Sequence, residues 1–249
     1  MASHFHFGRS FQLFVHADVE EMSHRAARTI QHAAQHKPDL VLCVATGSTP
    51  TRTYELLAES LRHWPEVTRR MRVVKLDEWG GLPPDDPATC EYYLRRLLVG
   101  PLSIPADRYV SFRGDAPDPE AECGTIAYRV GEIGPVDVCV LGLGLNGHLG
   151  FNEPAGALRP HAHVATLSPE SLAHPMVRDR PTPLRYGLTL GMADILQSRR
   201  ILLLVNGRHK RDALRRLLDD RTVSPRFPAS FLWLHPDVTC FCDADAAGE

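Results

Sequence analysis

The feature that most constrains this chain is a set of short, nearly unbroken apolar runs, each followed by a polar, glycine-bearing turn. The clearest are residues 39–45 (DLVLCVA), 71–76 (MRVVKL), 136–141 (VDVCVL) and 201–205 (ILLLV). They lack the apolar–polar alternation of a strand with one wet face, so they read as strands covered on both sides. Helical signals fall between them. Asp18, with Glu21 three residues on, opens a helix to about residue 36. Pro50 opens another through residue 61, and further helices are expected at about 87–98, 120–132 and 210–218. Residues 11–15 read as a first strand and 238–241 as a last one. Strands alternating with helices imply right-handed crossovers and a parallel sheet. The expected fold class is therefore α/β: a doubly wound, Rossmann-like three-layer α/β/α sandwich with a mostly parallel sheet. The 249 residues suit a single domain with a large core. Residues 156–186, rich in proline and histidine and without periodicity, read as a long irregular stretch suited to a lid; a plain surface insertion is the alternative.

Several function classes are excluded by composition. The 28 basic and 30 acidic side chains leave a net charge of −2, without the basic excess of a nucleic-acid binder. Only Lys37, Lys75 and Lys210 among those cations are lysines. Composition bias explains the scarcity, and Lys37 and Lys75 suggest no role. Cys43 and Cys139 lie inside apolar runs, and Cys240 and Cys242 share one face of a strand, so the cysteines read as core. No Cys-x-x-Cys pair suggests a zinc ribbon, and a disulfide scaffold is not expected. His4/His6 and His161/His163 find no third ligand at fixed spacing and read as loop residues rather than a metal site. The N-terminus has no apolar signal region, and no apolar run approaches a membrane span of about 18 residues. The expectation is a reduced, cytoplasmic protein without membrane or nucleic-acid partners. Trp79 and Trp233 are expected near the cleft wall and core, Trp64 at the surface.

In such a fold, ligands bind beyond the carboxyl ends of the strands. Four turns there carry chemistry. Ala45-Thr46-Gly47-Ser48-Thr49-Pro50 offers hydroxyls and a helix N-terminus suited to phosphate, without a nucleotide-binding fingerprint. Asp77 and Glu78 end a buried run, and one of them could act as a partly desolvated base. The 142–154 turn combines glycines, including Gly144 and Gly147, that let backbone approach a ligand with Asn146, His148 and Glu153. A histidine held by a carboxylate is a standard acid/base device. Finally, Lys210 at a helix start opposes the helix dipole unless an anion sits there.

The segments ATGSTP, LDEWGGLP, GLGLNGHLGFNEP, GLTLGMADIL and LLLVNGRHK, in this order across about residues 30–236, resemble the glucosamine-6-phosphate deaminase family. NGHLGFNEP (146–154) and PASFLWLH (228–235) are most similar to its galactosamine-6-phosphate isomerase branch. The resemblance implies a cofactor-independent conversion of a 2-amino-2-deoxyhexose 6-phosphate to a ketohexose 6-phosphate and ammonia. It implies Asp77 as the base moving a proton between C2 and C1, His148 as the ring-opening acid/base, and Glu153 as the carboxylate that orients it. It implies Thr46, Gly47, Ser48, Thr49 and Lys210 as the phosphate cradle, with Arg178 as the lid arginine.

Two departures stand out. Asn146 replaces the family's usual aspartate, which suggests a less basic His148 or a cleft reshaped for a galacto sugar. Gly156, His163 and Ala165 stand where allosteric members bind an anionic effector, so no such activation is expected. Two rivals remain. A 6-phosphogluconolactonase on this fold would carry a Ser-Leu-Phe-Pro run where Phe151-Asn152-Glu153-Pro154 stands. A sugar-phosphate-sensing module would carry a further DNA-binding domain. Oligomeric state is left open.

Overall fold

The structure, a computed structural model, describes residues 3–6, 10–181 and 184–249. Its strands are β1 (Ser3–His6), β2 (Phe11–His16), β3 (Val41–Val44), β4 (Arg72–Lys75), β5 (Asp77–Trp79), β6 (Tyr109–Val110), β7 (Val138–Gly142), β8 (His163–Thr166), β9 (Tyr186–Thr189), β10 (Arg200–Val205) and β11 (Val238–Asp243). Its α-helices are α1 (Val19–His36), α2 (Ser48–Leu61), α3 (Pro65–Thr68), α4 (Cys90–Leu94), α5 (Pro119–Ile133), α6 (Pro169–Leu172), α7 (Met192–Leu196), α8 (Arg211–Asp219) and α9 (Ala244–Ala247).

The main sheet runs β1-β2-β11-β10-β7-β3-β4-β6. All pairs in it are parallel except β1 with β2. This is the expected doubly wound arrangement. Alternate residues of one strand enter opposite cores: Val41 and Cys43 pack on one face of the sheet, Leu42 and Val44 on the other. That double burial is why the runs show no polar alternation. Helix α1 begins where Asp18 accepts a hydrogen bond from the Glu21 N–H at 2.8 Å. It buries Met22, Ala26, Ile30 and Ala34, a helical stripe, against the second core.

Chain order sets the site. From β3 the chain moves outward through β4 to β6; from β7 it moves the other way through β10 to β11. The direction therefore reverses between neighbouring β3 and β7, a topological switch point where the two following loops splay and leave a crevice.

The structure departs from the sequence expectations in several places. Residues 156–186 are not irregular throughout. Strands β5, β9 and β8 form a second, antiparallel sheet, with α6 after β8. His163 thus lies in a strand, as do His4 and His6 in β1, rather than in loops. These short strands cover a small cluster that includes Trp79, Phe151, Leu167 and Val177, and they bury too few residues to show a period. The helix expected at 87–98 starts at Cys90 and widens into a π-helical turn over Arg95–Val99. Trp233 packs on Phe11 with ring centroids 4.5 Å apart, whereas Trp64 is exposed. All six cysteines are free and buried. No helix among the described residues is long and apolar enough to cross a membrane.

Candidate active site

Beyond the ends of β10, β7, β3 and β4 lies a cleft of about 540 Å³. Thr46, Gly47, Ser48, Thr49, Asp77, Gly144, His148 and Lys210 line it. Four separate turns of the sequence meet there because their strands are adjacent and parallel.

The 45–50 turn is rigidly built. Tyr93 Oη and Thr51 Oγ1 both donate to the Gly47 carbonyl at 2.9 Å. Thr46 Oγ1 donates to Cys90 Sγ at 3.1 Å, and Thr49 Oγ1 to Asn206 Oδ1 at 2.6 Å. The protons of these two hydroxyls are committed to shaping the turn. Ser48, exposed in the cleft, and the first N–H groups of α2 are the donors it presents. Gly47 has φ +106°, a backbone geometry that favours glycine.

The adjacent carboxylates Asp77 and Glu78 have opposite fates. Glu78 points away from the cleft. It accepts from Lys75 Nζ at 2.6 Å and from the N–H groups of Trp79, Cys90 and Glu91 at 2.8–2.9 Å, capping α4. Lys75, fully buried, also reaches Glu91 Oε2 at 3.1 Å and the Phe112 carbonyl at 2.8 Å. Lys75 therefore has a structural role that the sequence did not reveal. Lys37 pairs with Asp137 at the far end of β7. Asp77 lines the cleft with its Oδ1 unbonded. Burial, helped by the Glu78 charge and opposed by Lys75, pushes its carboxyl up to about 7.

His148 presents its ring to the cleft, and Glu153 stands behind it rather than in the lining. His148 Nδ1 lies 3.3 Å from Glu153 Oε2, close enough for a charge interaction but off the line of a hydrogen bond. Glu153 also accepts from Asn146 Nδ2 at 3.0 Å, from the Ser168 N–H at 3.3 Å and from Ser171 Oγ. Burial alone would raise its carboxyl; the His148, Ser171 and Asn146 contacts outweigh that and hold it at about 2. Asn146 does not meet the imidazole. It donates to Glu153 and accepts from the His148 N–H at 3.1 Å, so it braces the loop and the carboxylate.

Two glycines of this loop, Gly144 and Gly147, are also required by packing within the protein, and Gly144 lines the cleft. A Cβ on Gly144 would fall 2.4 Å from the His148 ring; one on Gly147, at φ +87°, would fall 2.2 Å from Phe227.

Lys210 ends a short 3-10 turn, Arg208–Lys210, and stands as the N-cap of α8. Among the described residues its ammonium has no ion-pair partner, and burial pushes it down to about 8. Arg178 is not in the cleft: its guanidinium is exposed and bonds Asp179 at 3.3 Å. The neighbouring wall instead carries Ser171 and His174. No period or spacing in the proline-rich 156–186 stretch marks either residue. No three His, Cys, Asp or Glu side chains among the described residues converge as metal ligands.

Comparison with known proteins places this chain in a family. The protein family described as "Glucosamine-6-phosphate isomerases/6-phosphogluconolactonase" matches residues 16–240. A protein of Escherichia coli (strain K12) named "Putative deaminase AgaI" is 42% identical over 88% of this chain and 86% of its own. The solved structure of a monomeric glucosamine-6-phosphate deaminase superposes with a TM-score of 0.88 at 37% identity, covering 96% of this chain and 99% of that one. The 6-phosphogluconolactonase from Trypanosoma cruzi superposes with a TM-score of 0.79 at 22% identity, covering 99% and 98%, a likeness of fold alone. This chain belongs to the glucosamine-6-phosphate isomerase/6-phosphogluconolactonase family of enzymes.

Proposed function

We propose that the protein isomerises and deaminates a 2-amino-2-deoxyhexose 6-phosphate, with galactosamine 6-phosphate as the preferred substrate and glucosamine 6-phosphate second. One observation carries the reading. A desolvated, unbonded carboxylate (Asp77) and a carboxylate-backed imidazole (His148) face one cleft that also holds an unpaired lysine. The relatives named deaminases, at 37–42% identity, support the deaminase side of the family over the lactonase side.

In this reading the phosphate sits between the N-terminus of α2, the Ser48 hydroxyl and Lys210. Holding it places C1 and C2 over Asp77, so binding energy is spent on orientation. His148 transfers the proton that opens the pyranose ring, giving O5 a proton as the O1 hydroxyl becomes an aldehyde. Asp77 then takes the C2 proton while O1 takes one from solvent, forming an enolamine, and delivers the C2 proton to C1, leaving a protonated imine at C2 whose extra proton returns to solvent in the next step. Water adds at C2 and ammonia leaves, giving tagatose 6-phosphate from the galacto sugar or fructose 6-phosphate from the gluco sugar. Glu153, held ionised by its donors, keeps the imidazole ready to carry positive charge. Within the 156–186 segment, residues 169–171 and 173–175 line one wall of the cleft and serve as its lid. The test is a coupled assay for ammonia and ketose 6-phosphate with both aminosugar phosphates, beside 6-phosphogluconolactone. Ammonia release from the galacto sugar at the higher kcat/KM is expected; lactone hydrolysis without ammonia release would overturn the reading.

A further inference from the structure

The cleft has a further wall that the cradle above does not use. Arg178 turns outward to Asp179, and Arg180 is spent on Asp86 at 2.9 and 3.0 Å. Facing the cleft from that segment is His174. Its Nδ1 accepts the Met176 N–H at 3.3 Å, so a neutral ring carries its proton on Nε2. Nε2 has no hydrogen-bond partner among the described residues. It hangs over the start of α2: a Cβ built on Gly47 would lie 3.4 Å from it. The Trp79 ring, 5.9 Å away, backs the imidazole. A donor with no acceptor, aimed at the same turn as an unpaired ammonium, calls for an anion.

We propose, on the sugar-phosphate reading of the cleft, that His174 is a phosphate-binding residue whose Nε2–H closes the cradle opposite the α2 N-terminus, and that it takes up a proton as the dianion binds. The titratable groups around the ring are Lys210 and His209 from the turn after β10, His148 from the loop after β7, Asp77 on the floor and Glu170 on its own wall. In the empty cleft, burial first, then Lys210 and His148, push the imidazole down to about 4, so it stands neutral. A dianion beside it reverses the local field. The imidazolium then gains the partner it lacked, and neutral donor becomes charged donor.

The test uses the full chain and sulfate, a dianion that does not titrate between pH 5 and 8. Isothermal titration in buffers of different ionisation enthalpy counts protons taken up on binding. In the wild type, uptake through His174 is expected at pH 6, where Lys210, at about 8, is already protonated; by pH 8 the uptake that remains belongs to Lys210. His174→Ala should weaken sulfate binding and raise KM for the aminosugar phosphate by about 10-fold. Its kcat should stay within about 3-fold, since a contact to phosphate is equally strong in the ground and transition states. His174→Gln, which keeps a donor but cannot titrate, should recover much of the affinity while losing most of the proton uptake at pH 6. Wild-type sulfate affinity and KM in His174→Ala, uptake at pH 6 as large in His174→Gln as in the wild type, or no sulfate binding by the wild type would each overturn the proposal. His174-dependent sulfate binding without aminosugar turnover would sink the proposed function and leave this inference standing.

Discussion

Lys210 is the residue for which stability and function should separate most clearly. Its ammonium sits at about 8 instead of 10.5 because burial strips it of water without supplying a counter-charge. At about 1.4 kcal/mol per pH unit this corresponds to roughly 3 kcal/mol. Part of the side chain still faces the open cleft, and screening there brings the cost to about 1–2 kcal/mol. Below pH 8 the folded protein carries a charge that the unfolded chain carries more easily. Above about pH 10.5 both forms are neutral and the cost disappears. Lys210→Met should therefore stabilise the free enzyme by about 1–2 kcal/mol at pH 7, with the gain shrinking as pH rises through the 8–10.5 window. The same change should raise KM for the aminosugar phosphate by about 100-fold, the loss of one charged hydrogen bond to phosphate. Urea melts of both proteins at pH 7 and pH 10, with initial rates at pH 7, read all of this. A methionine variant less stable than wild type at pH 7, a gain equally large at pH 10, or an unchanged KM would refute the reasoning.

Asp77→Asn should fold normally and lose about 10³-fold in turnover. Because the base works ionised and its carboxyl lies at about 7, wild-type kcat/KM should fall as pH drops below that value; a profile flat from pH 8 to 5.5 would remove Asp77 from the role. Asn146→Asp replaces the donor lying 3.0 Å from Glu153 Oε2 with a second carboxylate. Like charges there should raise the Glu153 carboxyl and alter the pH profile or the gluco/galacto ratio; both unchanged would refute a tuning role. Lys75→Met leaves Glu78 and Glu91 buried without their cation and should cost about 3–5 kcal/mol in urea melts; a loss below about 1 kcal/mol would mean the pair is dispensable. With Gly156, His163 and Ala165 where an effector would need cations, substrate saturation should be hyperbolic with or without N-acetylglucosamine 6-phosphate, and activation by that sugar would contradict this.

The central sheet was legible because β3, β7 and β10 bury both faces, leaving a composition that only such strands carry. The second sheet was not. Strands β5, β8 and β9 have three or four residues each, and their pairing lies in long-range contacts such as Asp77 opposite Thr189 and His163 opposite Thr189. Asp77, His148 and Lys210 could be expected in the cleft because each follows a strand end. Position alone did not say which member of the Asp77–Glu78 pair faces the ligand, since both fit a strand end; the resemblance pointed to Asp77, and the α4 N-terminus claims Glu78. Arg178 was a reasonable choice by residue type, but charge does not fix direction: an exposed Asp179 claims it. His174 carries no signal in sequence, because its place depends on how 169–175 folds back over Gly47.

Lys75 and Lys210 show what separates a structural cation from a functional one in this fold. Both follow the apolar stretch of a parallel strand and both leave water. Lys75 meets two carboxylates and a carbonyl inside the protein, and these interactions raise its ammonium above the ordinary value despite complete burial. Lys210 meets none, and burial lowers it. A paired buried cation completes the fold; an unpaired one leaves the folded state at a disadvantage that only a ligand relieves. Lys75 also acts on the chemistry at one remove, because its charge opposes the burial that would otherwise keep Asp77 protonated. The buried pair and the open cleft are thus electrostatically linked: a cation fixed near Asp77 favours its ionised form, and a cation left unpaired in the cleft favours an anionic ligand. A protein of net charge −2 can bind a dianion on that arrangement without an overall basic excess.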